Sequence, residues 1–222
     1  KGTRDEVPYI QLTYRASLLF GLAASLGLVL VMPYAKTLLF KTDALSPVLM
    51  LYVLQIIWLS IILTFTSILQ GYGKLKVPTY FLLGALTLKI AGNLLFIPLF
   101  GILGVAVASN IGLCICALLL MYYLKKLKGI QLATGNFYRK LFLASMSMVV
   151  VVVLVAVLLN SVTDFSSVRM QAVVYSAVLI LLGAFTFITV AAKLQILSVR
   201  EWFIIPFGRK MATYQLWLNK KK

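Results

Sequence analysis

Histidine is absent from these 222 residues, and carboxylates number only five: Asp5, Glu6, Asp43, Asp164 and Glu201. All five fall in flanks or between apolar blocks, never inside one. That leaves no intramembrane carboxylate to relay a proton, no cluster with metal-ligand spacing and no acid/base pair. Neither an enzyme nor a metal or cofactor site is therefore expected. Cysteine is scarce as well: Cys114 and Cys116 stand two apart, so on a helix they point to different sides and cannot pair with each other. They read as small apolar packing residues. There is no signal peptide with a cleavage site, and the chain opens on the charged run KGTRDE without an initiator Met, so it is read as a piece of something longer.

Apolar residues are abundant. They make up 62% of the sequence, charged residues 12%, and the mean hydropathy of +1.03 lies far outside what a water-soluble domain sustains. Six apolar blocks are each long enough for the ~20 residues that a spanning helix needs. They run over 16–40, 46–70, 78–99, 102–124, 137–160 and 170–192. Their length, and the lack of the alternation that barrel strands show, predicts an all-α integral membrane protein with six transmembrane helices.

A net charge of +16 raises the question of nucleic acid, and the placement of the charges answers it. Of 21 Lys and Arg, 17 lie in the N-terminal segment, two alternate loops and the C-terminal tail, while the opposite loops hold only Lys36, Lys41 and Arg169. This is the positive-inside distribution, with both termini cytoplasmic and an attraction to anionic inner-leaflet lipid. No nucleic-acid-binding motif accompanies it.

The organisation reads as an interfacial lead-in over 1–14, a four-helix unit over 15–124, a basic loop and a terminal helix pair over 125–193, and an amphipathic basic tail over 194–222. Short connections make consecutive helices antiparallel neighbours. The run MSMVVVVVLVAVLL in the fifth block has no polar face and is expected to meet lipid, the alternative being that it lines a groove for an acyl chain. The tail is too charged to span, and its aromatic and cationic residues suit the headgroup interface.

The remaining cation, Lys89, sits in the third block with Asn93 one helical turn later. An ammonium at bilayer depth costs ~2.5 to 3.5 kcal/mol on insertion scales, so it normally faces a partner, a watery cavity or a charged substrate. Lys89 is also about 16 Å along its helix from Pro78, too deep for easy snorkelling. A cavity-facing anion site and a structural lysine bonded to carbonyls remain alternatives. In the second block Ser60, Thr64 and Ser67 fall on one stripe with Gly71, fit either to line a cavity or to make interhelical hydrogen bonds. Gln70, at the end of that block, is a candidate substrate contact. Gly104, Ala108 and Gly112 form a small-xxx-small ladder that lets another helix approach closely. Pro33 and Pro98 should bend or end their helices.

The stretch LQGYGKLKVPTYFLLGALTLKIAGNLLFIPLFGILGVAVASNIG, through Gln70, Gly71, Gly73, Lys74, Pro78, Lys89, Asn93, Pro98, Gly101, Gly104, Ala106 and Ala108, resembles the second lobe of the lipid-linked oligosaccharide and polysaccharide flippases. Within that MATE-like superfamily it is most similar to the branch of sporulation stage V protein B and MurJ-type flippases. The resemblance implies four helices of the second lobe plus an additional C-terminal pair. It also implies a bacterial cell-membrane location and partners in the form of a lipid-linked oligosaccharide, membrane lipid and the N-terminal helices of a longer protein. The implied function is translocation of a lipid-linked cell-wall precursor, lipid II for peptidoglycan synthesis, by alternating access. Lys89 and Asn93 would hold the diphosphate or sugar, and Ser60, Thr64 and Ser67 would line the wall. A non-transporting scaffold of a cell-envelope synthesis complex and an ion-coupled drug exporter are the alternatives.

Overall fold

A computed structural model describes residues 6–39, 46–129, 132–162, 168–204 and 208–219. The turn carrying Lys41 and Asp43, the loop carrying Asp164, Pro206 and the three closing lysines lie outside them. Eight helices are described: α1 (Val7–Leu39), α2 (Ser46–Gly71), α3 (Lys76–Phe100), α4 (Ile102–Lys128), α5 (Gly135–Val162), α6 (Val168–Lys193), α7 (Val199–Ile204) and α8 (Gly208–Asn219). The first six are long and apolar enough to cross a membrane. The chain is an all-α integral membrane protein, as its composition predicts.

Two compact units divide at Leu132 and Ala133, not after Leu124. The cause is local. Leu124 to Lys128 consists of good helix formers that extend α4, and the helix stops only at Gly129, whose left-handed φ of 64° lets its N–H reach the Lys125 carbonyl. At the other end, Val7–Tyr14 is not a separate lead-in but the first two turns of α1, with Ile10, Leu12 and Tyr14 buried. Pro33 lies inside α1, which continues to Leu39, while α3 ends two residues after Pro98.

In the first unit α2 is the middle helix, packing on α1 along one side and on α4 along the other, whereas α3 packs on α4 and barely touches α2. Consecutive helices are therefore not always the closest neighbours. Tyr14 stacks on Phe65 at 5.5 Å between α1 and α2, and Asn110 of α4 donates to the Leu51 carbonyl of α2 at 2.8 Å. The peripheral place of α3 shows in its burial: 6% of its apolar 18-residue stretch is covered, against 39% for α4.

The second unit is the antiparallel pair α5 and α6 with the tail helices added. Met148 and Val152 of α5 pack at Gly183 of α6, where a Cβ would meet them at 3.3 and 3.1 Å. Tyr175, fully buried, donates its hydroxyl to the Leu159 carbonyl at 2.8 Å. The aliphatic run of α5 thus commits one edge to α6, and Val153, Leu154, Val157 and Leu158 point outward.

Candidate functional site

The ladder on α4 determines where Lys89 sits. Small residues at Gly104, Ala108 and Gly112 face α3, so the two backbones approach closely. A Cβ at Gly104 would overlap the Phe96 carbonyl, one on Gly92 of α3 would stand 3.0 Å from the Ala108 methyl, and Gly112 lies against the Ala85 carbonyl and the Lys89 Cβ. Only Pro78 and Ala85 of α3 are buried. The antiparallel register runs 96 to 104, 92 to 108 and 89 to 112, which fixes Lys89 on the rim of the α3/α4 seam.

On that rim a cavity of about 190 Å³ is lined by Leu82, Ala85, Leu86, Lys89, Ser109 and Leu113. Asn93 follows Lys89 by one turn on the same flank. Lys89 is half-buried and makes no hydrogen bond or ion pair among the described residues. Two neighbouring polar atoms are equally without partners: the Asn93 Oδ1 and the Ser109 Oγ, both buried, with Ser109 1% exposed. Separately, at the α2/α4 contact, Gln55 of α2, one turn beyond the Leu51 that receives Asn110, has a buried Nε2 without a partner among the described residues. A buried polar group lacking a partner costs about 1 to 3 kcal/mol. Two such groups, on Asn93 and Ser109, beside a lysine with no partner among the described residues make a polar flank on the α3/α4 seam.

The hydroxyl stripe of α2 is placed differently. Thr64 shares a short hydrogen bond with Ser17 of α1 and donates to the Ser60 carbonyl at 2.9 Å. Ser60 fills the space left by Gly21, where a Cβ would overlap its hydroxyl, and Ser25 donates to the Val53 carbonyl at 3.2 Å. Ser60 and Thr64 thus belong to the α1/α2 contact and not to the wall around Lys89. The physical reason is that Ser17, Gly21 and Ser25 supply a matching small stripe on α1. Ser67 is exposed and returns its hydroxyl to Leu63 of its own helix at 2.9 Å. Gln70 is exposed at the turn into α3, roughly 20 Å along that helix from Lys89 by the α-helical rise.

Lys89 and Asn93 are therefore the two sequence candidates on one flank of α3, joined there by Ser109 of α4. Helical periodicity alone does not single out Ser109, because its neighbour depends on which side of α4 meets α3. Among the described residues no group of three metal-ligating side chains occurs.

These features define an integral membrane protein with a cationic, polar intramembrane flank. The chain is similar, at 24% identity over 197 residues, to an uncharacterized membrane protein of Bacillus subtilis (strain 168), YabM. The match covers 89% of this chain and 37% of that relative, so the chain spans well under half its length. No family model matches, and no solved structure matches.

Proposed function

We propose that the chain is the C-terminal part of a bacterial flippase that moves a lipid-linked oligosaccharide, lipid II being the concrete candidate, across the cell membrane by alternating access. One observation carries this reading: Lys89 presents an unpaired charge, beside the unpartnered Asn93 and Ser109 atoms, on an open flank inside a membrane-spanning helix. A cation in hydrocarbon needs a counter-group. The sequence has no carboxylate in any apolar block, so the counter-charge comes from outside these helices. A lipid diphosphate supplies it at bilayer depth, with its hydrocarbon tail left among lipids. The resemblance of the stretch from Gln70 through Ala108 points to the same class. The closing wall would come from further helices of a longer chain, in keeping with the greater length of the Bacillus subtilis relative.

The test is binding of a polyprenyl-diphosphate sugar to the longest form of the protein in nanodiscs, wild type against Lys89→Met. Binding lost in a well-folded Lys89→Met protein is the expected result. Equal binding by both would remove the substrate role from Lys89. The scaffold alternative predicts that partner capture persists when Lys89 is changed and disappears when residues 194–222 are removed.

A further inference from the structure

The tail after α6 is a folded cap, not a loose amphipathic strand, and its construction sorts its residues into two faces. The reversal starts at Gln195, a non-glycine residue at φ 49°, with the Ile196 N–H returning to the Ala191 carbonyl at 3.2 Å. Ser198 and Glu201 then form a reciprocal capping box: the Ser198 N–H donates to the Glu201 carboxylate at 2.6 Å and the Glu201 N–H to the Ser198 hydroxyl at 3.3 Å. Gly208 lets α8 start directly against the Trp202 carbonyl, where any Cβ would overlap. From α8, Gln215 donates to the Leu197 carbonyl at 3.1 Å, and Tyr214 shares a hydrogen bond with Thr189 of α6 at 3.2 Å. Leu197, Trp202, Ala212 and Gln215 are consequently buried.

The other face carries Phe203, Ile204, Leu216 and Trp217, each more than half exposed, and with them the exposed Arg200, Arg209 and Lys210. On α8 Arg209 and Lys210 precede Leu216 and Trp217 by seven residues, so cation and apolar group share each stripe. Exposed rings and aliphatic groups beside long cationic stems fit a headgroup layer, where ring and stem lie inward and the charge snorkels to the phosphates. The one acid after residue 164, Glu201, has its carboxylate engaged in the cap. The apolar span of α6 ends at Lys193, a few residues before the cap, which would put this face at headgroup height.

We infer that the α7/α8 cap is a preformed docking surface for anionic lipid, in which Arg200, Arg209 and Lys210 meet headgroup phosphates while Trp217 and Leu216 enter the acyl boundary. It stands independently of whether the chain transports anything. The test reconstitutes the protein in phosphatidylcholine vesicles doped with equal small fractions of brominated phosphatidylglycerol or brominated phosphatidylcholine. Trp217 emission is isolated by difference from Trp217→Phe. Expected is several-fold stronger quenching by the anionic lipid, declining as salt is raised and abolished in Arg200→Gln/Arg209→Gln/Lys210→Gln. The salt titration on the wild type decides the matter even if the triple variant inserts poorly. Equal quenching by both lipids, or none by either as a protein-covered face would give, overturns the inference.

Discussion

Gly112 of α4 lies against Lys89 of α3: a Cβ there would stand 3.0 Å from the Ala85 carbonyl and 3.7 Å from the Lys89 Cβ. The lysine is positioned by the absence of a side chain opposite it. Gly112→Leu should therefore push α3 outward and change the setting of Lys89 at once. Overpacking of this kind costs about 1 to 3 kcal/mol, so the expected outcome is a lower unfolding midpoint in detergent together with loss of the diphosphate binding proposed for Lys89. Gly112→Ala should be milder on both measures, since the carbonyl contact needs a shift of only a few tenths of an ångström.

The α1/α2 contact makes an opposite prediction for the hydroxyl stripe. Thr64→Val and Ser60→Ala remove interhelical or helix-internal hydrogen bonds, which in membranes average about 0.6 kcal/mol each. Both variants should fold nearly as well as wild type and leave the proposed binding of a lipid-linked diphosphate unchanged. A binding defect in either, without loss of thermal stability, would return these hydroxyls to the cavity wall.

Topology is the third prediction. With 17 of 21 cations in the N-terminal segment, alternate loops and tail, both termini should face the cytoplasm. In a cysteine-free background, single cysteines at Thr134 and Lys222 should be shielded from an impermeant maleimide in intact cells, while one at Asp43 reacts. Labelling at Thr134 and Lys222 in sealed cells would reverse the assignment.

How far the sequence could be read depends on what kind of pattern each feature leaves. The six spans are legible because hydrocarbon imposes a minimum length and makes charge costly, and a linear string records both. The ladder at Gly104, Ala108 and Gly112 is legible as a close-approach surface, since small residues four apart serve little else in lipid. Its partner is not, because periodicity gives a face and never says which helix meets it. That gap explains Ser60 and Thr64: their stripe shows equally well for a cavity or a contact, and the matching Ser17, Gly21 and Ser25 of α1 decide it. Ser109 stayed hidden for the same reason, coming beside Lys89 only once α3 packs on α4. The cap of α7 did leave a local signature in Ser198 and Glu201, three apart, and composition alone overshadowed it.

The charge on Lys89 gives the last prediction. If it attracts a phosphate, Lys89→Arg should retain part of the transport rate, because the cation is kept although its geometry changes, while Lys89→Met should fold normally and lose transport. If the lysine is instead a structural donor, both substitutions should depress expression and thermal stability together, since a buried acceptor would lose its partner. The first pattern is expected here. No hydrogen bond or ion pair from Lys89 exists among the described residues for a substitution to break, and the nearby Asn93 Oδ1 and Ser109 Oγ are themselves unpaired. Removing the charge should even relieve the cost of holding an ammonium in hydrocarbon, which is ~2.5 to 3.5 kcal/mol at a helix centre, so Lys89→Met should be at least as stable as wild type. Thermal unfolding in detergent and flipping in proteoliposomes, measured on the same preparations, separate the two roles. A stable Lys89→Met protein that still flips its lipid at the wild-type rate would exclude the ammonium from the transport path.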